Sequence, residues 1–259
     1  MTAPVTLITG ASAGIGAALA AVFAEHGHAV VLTARREAQL AAVADAIEGA
    51  GRPRPRIIAT DLARPEAAEQ IESELRAAGL EVQFLVNNAG FGLVGNALDS
   101  GRAEQLAMVD LNVRASTELS LRFTDSMARH KGGILNVASV ASFMPGPGMA
   151  VYHATKAYLL SFSEALHQEL KPKGVRVTAL CPGPVETEFQ ARAGMPEGYF
   201  PKFMSRSARR VANDGYDGLM RGKRVVIPGF DNQVAALLPK FLPRGTLLSL
   251  VGRRRNFAG

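Results

Sequence analysis

The sequence contains a single cysteine, Cys181, and lacks any run of about eighteen uncharged apolar residues, the length that indicates a membrane helix. One cysteine cannot form an internal disulfide. Because Cys181 follows the apolar segment 175–180, we expect it to be a small buried side chain rather than a nucleophile. The amino terminus also lacks the basic and apolar regions of a signal peptide. A cytoplasmic protein without a transmembrane segment is therefore expected.

Residues with metal-ligand spacing and internal repeats are absent as well, so no metal site is predicted. The 259 residues are 47% hydrophobic, enough to bury a sizeable core, and the length fits one α/β domain over residues 1–259. Short apolar runs alternate with amphipathic segments, which is typical of a doubly wound parallel sheet with helices on both faces. Seven strands are expected near residues 5–9, 29–33, 56–60, 83–86, 133–138, 175–180 and 224–227. Helices are expected between them, among others at residues 17–25, 36–48, 65–78, 103–121 and 150–170.

Tyr152 and Lys156 are the residues that most constrain the chemistry. Four positions apart on a helix, they lie on one face, so the ammonium can sit beside the phenol. A phenol ionises near pH 10, and a nearby positive charge lowers that pKa, which makes the tyrosine a general acid/base. Ser139 ends the apolar run 134–138, which places its hydroxyl at a strand's carboxyl end, where open α/β sheets bind ligands.

The amino-terminal segment contains a second signal, a glycine-rich turn. The β-branched run 5–9 leads into Gly10-Ala-Ser-Ala-Gly14-Ile-Gly16 and then into a helical stretch. Such a turn lets backbone N–H groups and the positive end of a helix approach a pyrophosphate. The spacing is G-x-x-x-G-x-G rather than the G-x-G-x-x-G of many dinucleotide folds.

With these motifs, the chain resembles the short-chain dehydrogenase/reductase family, whose glycine motif has that longer spacing. Further matches follow in the family's order, closely over about residues 5 to 190: Asp61-Leu62, Asn87-Asn88-Ala89-Gly90, Asn112, Ser139, Tyr152, Lys156, Pro182-Gly183 and Thr187. The resemblance implies a single-domain Rossmann-type fold of about seven strands in the order 3-2-1-4-5-6-7. It also implies hydride transfer between a nicotinamide cofactor and a carbonyl or alcohol substrate.

The resemblance assigns a role to each matching residue. Tyr152 would protonate the substrate carbonyl oxygen and Ser139 would donate a hydrogen bond to that oxygen. Lys156 would hold the nicotinamide ribose and lower the tyrosine pKa, and Asn112 would fix a water behind them. The implied catalytic residues are Asn112, Ser139, Tyr152 and Lys156. The implied cofactor-binding residues are Gly10, Ser12, Ala13, Gly14, Ile15, Gly16, Arg35, Arg36, Asp61, Leu62, Asn88, Ala89, Gly90, Tyr152, Lys156, Pro182, Gly183, Val185 and Thr187.

The choice of cofactor follows from the end of the second strand. An acidic residue there would bind the adenosine ribose of NAD, but Arg35 and Arg36 follow Ala34 instead. Arginine accepts the 2′-phosphate of NADP through charge-assisted hydrogen bonds, and Ser12 could add a hydroxyl donor. NADP(H) is therefore the predicted cofactor.

Each motif also has a plainer interpretation that the sequence leaves open. The glycines could serve only a tight turn, residues 87–90 could be an ordinary strand-ending turn, and Asn112 could be a solvated or helix-bending residue. The two arginines could be solvated residues at the start of a helix, although arginine there opposes the helix dipole. His153 points about 100° around the helix from Tyr152 and is expected to be a bystander.

Residues 188–206 are expected to cover the substrate, as the corresponding segment does in the family. The segment is rich in aromatic residues and methionine: Phe189, Met195, Tyr199, Phe200, Phe203 and Met204. These side chains predict an adaptable, mostly apolar pocket and hence a hydrophobic carbonyl or secondary alcohol. Alternatively, they pack on the core or on another subunit.

The carboxyl-terminal part of the chain concentrates positive charge. The whole chain has a net charge of +6, but residues 202–259 contain twelve Lys and Arg against three Asp, a net charge of +9. In the tail, residues 231–259, the charge accompanies apolar stretches. Three interpretations compete: packing on a neighbouring subunit, contact with a membrane surface, and a site for an anionic substrate such as an acyl carrier or coenzyme A ester. No nucleic-acid recognition motif accompanies the basic residues.

Two classes of function remain open. The first is an NADP-dependent ketone reductase or alcohol dehydrogenase, with a reductase of 3-oxoacyl thioesters as an alternative substrate class. The second is a non-catalytic relative that binds NADP to regulate a partner. An intact Ser139, Tyr152 and Lys156 favours the enzyme, because a binder needs no acid/base pair. A homodimer or homotetramer is the expected assembly.

Overall fold

A computed structural model describes residues 2–99, 101–196, 198–200 and 202–253. These residues build a seven-stranded sheet in the order β3-β2-β1-β4-β5-β6-β7, and every neighbouring pair of strands is parallel. The strands are β1 (Ala3–Thr9), β2 (Val30–Ala34), β3 (Arg56–Ala59), β4 (Leu80–Asn87), β5 (Gly133–Val137), β6 (Arg176–Leu180) and β7 (Val225–Val226). The predicted fold class and strand order are confirmed.

Helices cover both faces of the sheet. They are α1 (Gly14–Glu25), α2 (Glu37–Gly49), α3 (Ala67–Ala77), α4 (Arg102–Val109), α5 (Ser116–Arg122), α6 (Thr124–Arg129), α7 (Ala150–Glu169), α8 (Glu188–Arg192), α9 (Ala208–Met220), α10 (Phe230–Leu237) and α11 (Arg244–Arg253). One cluster of buried side chains packs α1, α2 and α9 on the sheet, and a second packs α3, α5, α6 and α7 on the opposite face. The double cover explains the continuous apolar strands in the middle of the sheet, such as β2, β5 and β6, because these are buried on both sides. The edge strands β3 and β7 are partly exposed.

The chain changes direction between β1 and β4. After β1 it adds β2 and β3 on one side, then returns to place β4 on the other side of β1, in register from Thr6 opposite Phe84 to Ile8 opposite Val86. The connection after β1 therefore runs toward one edge of the sheet and the connection after β4 toward the other edge, and the two separate at the carboxyl ends of these strands. Open α/β sheets bind their ligands in the crevice at such a point.

The predicted helix at residues 103–121 is interrupted. Between α4 and α5 the wider turn Asp110–Ala115 has π-helical hydrogen bonding, and Asn112 lies within it, fully buried. π-Helical turns of this kind occur frequently at functional sites. The interruption has no signature in the hydrophobic pattern, because apolar spacing continues through it.

Cys181 follows β6 and is completely buried, as predicted, and burial raises the pKa of its thiol to about 12. Within the described ranges, no helix is long and apolar enough to cross a membrane. The same residues contain no group of three or more His, Cys, Asp or Glu side chains that could hold a metal ion.

Candidate active site

A cleft of about 1200 Å³ opens at the carboxyl ends of the strands, above the crossover between β1 and β4. Almost every residue predicted to bind the cofactor or substrate lines it: Gly10, Ser12, Ala13, Gly14, Ile15, Arg35, Arg36, Asp61, Leu62, Asn88, Ala89, Gly90, Ser139, Tyr152, Lys156, Pro182, Gly183, Val185 and Thr187. Two predicted residues, Gly16 and Asn112, are absent from the lining. The fold thus assembles motifs that are far apart in sequence.

The glycine-rich turn is shaped for close approach of a ligand. Gly10 and Gly14 have φ angles of +63° and +57°, a backbone conformation that residues with a side chain rarely adopt. A Cβ atom on Gly16 would lie 2.3 Å from the carbonyl oxygen of Gly10, so only glycine fits behind the turn. α1 begins at Gly14 and directs its free backbone N–H groups to the cleft, where they suit a pyrophosphate.

Thr9 joins the turn to the end of β4, a role that the sequence did not indicate. Its hydroxyl accepts hydrogen bonds from the backbone N–H groups of Asn88 (2.9 Å) and Ala89 (3.0 Å) and donates one to the carbonyl of Val86 (3.1 Å). The amide of Asn88 donates to the carbonyl of Thr9 over 2.9 Å. Residues 88–90 therefore form a fixed wall of the cleft. A single threonine at a strand end carries no distinctive signal in the sequence.

α7 presents the predicted acid/base pair. Tyr152 and Lys156 are both buried, and the lysine Nζ lies 6.0 Å from the centre of the tyrosine ring. Nζ donates a 2.8 Å hydrogen bond to the carbonyl of Val137 at the end of β5. Ser139, two residues further on, accepts a 3.1 Å hydrogen bond from the backbone of Ala141, which fixes its hydroxyl at the start of a short turn.

The pKa values differ from the sequence-based expectation. Burial raises the pKa of Tyr152 to about 12, and a hydrogen bond with Ser139 only partly opposes that rise. Burial also lowers the pKa of Lys156 to about 8. The expected lowering of the tyrosine pKa by the lysine is not observed, because the effect of burial dominates. The ammonium lies 6.0 Å from the ring centre and donates its hydrogen bond to the Val137 carbonyl. The tyrosine is thus held in its neutral form, which can donate a proton.

Asn112 lies behind the wall of the cleft. Its amide accepts from the backbone N–H of Phe91 (3.1 Å) and donates to the carbonyl of the same residue (3.0 Å) and to the hydroxyl of Thr155 (3.1 Å). A Cβ atom on Gly90 would lie 2.9 Å from Asn112 Oδ1 and 3.4 Å from Lys156 Nζ, so the three residues are close together. The side-chain amide positions residues 90–91. That Asn112 also fixes a water stays a prediction.

Basic side chains surround the end of the cleft next to β2. Arg36 donates hydrogen bonds to the hydroxyl of Ser12 (3.2 Å) and to the carboxylate of Glu188 (2.7 Å). Arg35 lies 3.9 Å from Asp61. The predicted phosphate ligands Ser12 and Arg36 are therefore already in contact with each other.

A third guanidinium, that of Arg192, was missed in the sequence. It lies 4.5 Å from the centre of the Phe91 ring and lines the cleft from α8. Burial and the neighbouring charges of Arg35 and Arg36 lower the pKa of Arg192. Only the tertiary structure brings this residue, about 156 positions further along the chain, to the two predicted arginines.

The predicted cover segment borders the catalytic residues. α8 begins at a capping box between Thr187 and Gln190, and the ring of Phe189 lies 5.5 Å from that of Tyr152. Four more residues of the cover segment also line the cleft: Met195, Tyr199, Phe200 and Met204. Phe203 is exposed and does not line it, so the sequence-based expectation is wrong at that position. Glu197 and Pro201 lie outside the described residues.

The tail also contributes to the cleft, and the residues through which it does so are apolar. The residues are Ala235, Leu238, Pro239, Leu247 and Val251. They extend the apolar wall beyond the cover segment. His153, the neighbour of Tyr152, is fixed by a 2.8 Å hydrogen bond between its Nδ1 and the carbonyl of Met144 and supports the loop before α7.

Comparison with known proteins agrees with this architecture. The family model for short chain dehydrogenase matches residues 4–197. The chain is 37% identical to sulfoacetaldehyde reductase 2 of Chromohalobacter salexigens over 188 residues, which cover 71% of this chain and 74% of that protein.

Solved structures cover nearly the whole chain. A short-chain dehydrogenase from Sphingobium yanoikuyae in complex with NADPH has a TM-score of 0.81 and 32% identity and covers 99% of this chain and 98% of its own. The bulky-bulky ketone specific alcohol dehydrogenase from Comamonas testosteroni has a TM-score of 0.75 and 29% identity, with 94% and 96% covered. With these matches and its cleft, the chain belongs to the short-chain dehydrogenase/reductase family of oxidoreductases.

Proposed function

We propose that this protein is an NADP(H)-dependent oxidoreductase that interconverts a hydrophobic ketone and a secondary alcohol. The observation that carries the proposal is the position of Tyr152: its neutral phenol lies in the same cleft as the glycine turn, with Ser139 hydrogen-bonded to it. The cleft therefore holds a proton donor beside a dinucleotide site. A regulatory NADP-binding protein would not need this pair.

The cofactor fits the residues that are present. Gly14 and the start of α1 would hold the pyrophosphate, residues 88–90 the ribose, and residues 182–187 the nicotinamide. Ser12 and Arg36 favour NADP over NAD, because they place a hydroxyl and a guanidinium together beyond the end of β2. The NADPH bound to the Sphingobium yanoikuyae relative supports the same assignment.

Proton transfer is the contribution of the protein's own side chains. The bound cofactor supplies or accepts the hydride at the substrate carbon. Tyr152 donates its phenolic proton to the carbonyl oxygen in the reductive direction, and Ser139 donates a hydrogen bond to that oxygen. Lys156 keeps a positive charge near this position at neutral pH, since its pKa stays at about 8. Asn112 acts through Phe91 and Gly90 as a positioning residue.

The substrate is proposed to be apolar and bulky or long. Phe189, Met195 and Phe200 line the cleft on the cover segment, residues 188–206, and Leu238 and Leu247 extend it on the tail, residues 231–259. The similarity to a dehydrogenase specific for bulky-bulky ketones supports this choice. A 3-oxoacyl thioester is the second candidate, favoured by the cationic Arg192 at the edge of the same cleft.

The function is tested by measuring NADPH consumption by absorbance with a panel of aryl ketones, long-chain ketones, 3-oxoacyl thioesters, steroids and sugars. We expect turnover of apolar ketones to exceed that of sugars. If the protein binds NADPH but consumes it with none of these substrates, it is instead a non-catalytic relative that binds NADP to regulate a partner.

The assembly is proposed to be a homodimer or homotetramer of one domain that spans residues 1–259. Exposed apolar side chains on neighbouring helices support it, since they would be covered by a second subunit: Leu106 and Val109 on α4, Leu121 on α5 and Tyr158 on α7. Light scattering of the purified protein measures the mass directly.

A further inference from the structure

The tail carries an exposed apolar face on the outside of the molecule. Phe230, Val234, Leu237 and Phe241, which we call the tail face, are spaced four, three and four residues apart, so they lie on one side of α10 and the turn after it. Phe230 is 79% exposed and Phe241 81% exposed. Large aromatic side chains this accessible, in a row, mark a surface that binds something.

The opposite side of α10 is firmly anchored. Asn232 is completely buried, and its amide donates to the carbonyls of Pro228 (2.8 Å) and Met204 (3.4 Å). A Cβ atom on Gly183 would collide with Asn232, so the helix packs directly against the nicotinamide end of the cleft. Asp231 also pairs with Arg206. The tail face is therefore held outward by a fixed helix.

The tail face adjoins the substrate cleft. Ala235 and Leu238, on the same helical segment, line the cleft, and Leu247 of α11 continues the apolar lining. Leu238 is also half exposed and directly follows Leu237 of the tail face. An apolar molecule lying against the tail face would be next to the cleft and would not have to cross water to reach it.

The charge of the tail decides which partner fits. The tail contains five basic side chains, Lys240, Arg244, Arg253, Arg254 and Arg255, and one acidic side chain, Asp231, which is paired with Arg206. Arg254 and Arg255 lie outside the described residues and count here only by their charge. A second copy of this face would bring like charges together, which is unfavourable. An anionic lipid surface provides opposite charge for the cations and an apolar layer for the phenylalanines, as amphipathic interfacial helices require.

We propose that the tail face binds the surface of an anionic membrane and that apolar substrates enter the cleft from that surface. α10 and α11 have eight and ten residues, about 12 and 15 Å, and so lie on a bilayer core of about 30 Å rather than cross it. Membrane binding stands independently of the reaction, whereas substrate entry rests on the function proposed above.

The test is flotation of the full-length protein with vesicles of phosphatidylcholine alone or mixed with phosphatidylglycerol. We expect binding only to the mixed vesicles, weakened by salt. Phe230→Ser with Phe241→Ser should reduce it by about tenfold or more, since two aromatic anchors are removed. Lys240→Gln with Arg244→Gln should lessen the preference for anionic lipid. The matched control is Leu98→Ser, a 98% exposed leucine on the loop before α4, which should bind as the parent does.

Circular dichroism reports whether each variant is folded, and turnover of a water-soluble ketone reports whether it is active, so a loss of vesicle binding can be distinguished from unfolding. Neither phenylalanine lines the cleft, so the double variant should stay folded and keep its activity in solution. Lack of vesicle binding by the parent at low salt, or equal binding by parent and double variant, would overturn the proposal. If the parent does not float with vesicles and the double variant has a lower molecular mass than the parent, the tail face binds a second subunit instead of a membrane.

Discussion

Arg36 donates a 2.7 Å hydrogen bond to the carboxylate of Glu188 and thereby ties the end of β2 to the first residue of α8. The same guanidinium contacts Ser12, its partner in the proposed phosphate site. Under the proposed assignment, Arg36 would exchange Glu188 for the 2′-phosphate when the cofactor binds. Both side chains are about half exposed, so the ion pair is weak and the exchange is readily reversed.

Glu188→Gln should tighten NADPH binding by about two- to fivefold and leave NADH binding unchanged. The substitution removes a carboxylate that competes for Arg36, and an exposed pair of this kind contributes up to about 1 kcal/mol. Isothermal titration with each cofactor measures both constants. Glu186→Gln, at an exposed position two residues earlier, is the control and should change neither. An equal effect on NADH would show that Glu188 acts on the fold of α8 rather than on the phosphate.

Arg36→Ala should weaken NADPH binding by roughly ten- to hundredfold, because a charged hydrogen bond contributes about 1.5 to 3 kcal/mol. Arg35→Ala should have a smaller effect, since its guanidinium faces Asp61 instead of Ser12. Fluorescence titration of the two variants and the parent with NADPH and NADH gives the comparison. Equal affinity of the parent for both cofactors would contradict the assignment of this subsite.

The sequence correctly predicted the elements that depend only on neighbouring residues, namely the covered strands and the glycine turn. Apolar strands between amphipathic helices require a covered parallel sheet, and Gly10, Gly14 and Gly16 mark a turn that only glycine can form. Arg192 and Leu238 could not be found in this way, because each reaches the cleft through the packing of the carboxyl-terminal third. The tyrosine pKa depended on burial and on the hydrogen bond with Ser139, which residue spacing alone does not determine.

Tyr152→Phe should reduce kcat by about 10² to 10⁴ and leave NADPH binding nearly unchanged. The variant removes one hydroxyl, the positioned proton donor, and little volume. Single-turnover measurements with a good ketone substrate give the rate, and titration gives the affinity. Turnover within a few-fold of the parent would contradict the role of this residue.

The stability contribution of Lys156 should depend on pH in a defined window. Its pKa is about 8 in the folded protein against 10.5 for an unburied lysine, so the unfolded chain binds more protons between these values. The folded state is then penalised below pH 8, and the penalty is relieved as the pH rises toward 10.5. The parent should therefore gain stability from pH 7 to pH 9.5, and Lys156→Met should lack this gain. Urea unfolding at each pH measures the difference in unfolding free energy between the two proteins. Lys171→Met, at an exposed site, should show the same gain as the parent.

Chain length of the substrate tests the apolar cleft. In a homologous series of methyl ketones, each methylene that Phe189 and the neighbouring cover residues bury should raise kcat/KM, by up to about 0.8 kcal/mol per group, until the cleft is filled. Phe189→Ala should weaken that dependence, since its ring lies 5.5 Å from Tyr152 and covers the reacting end of the substrate. Phe203→Ala is the matched control: it removes the same side chain from the same segment at a position outside the cleft, and the series should be unchanged. If kcat/KM did not depend on chain length, or if polyols were turned over faster than any apolar ketone, the substrate would not be hydrophobic. The reason is that a cleft lined by methionine, phenylalanine and leucine gains nothing from burying hydroxyl groups.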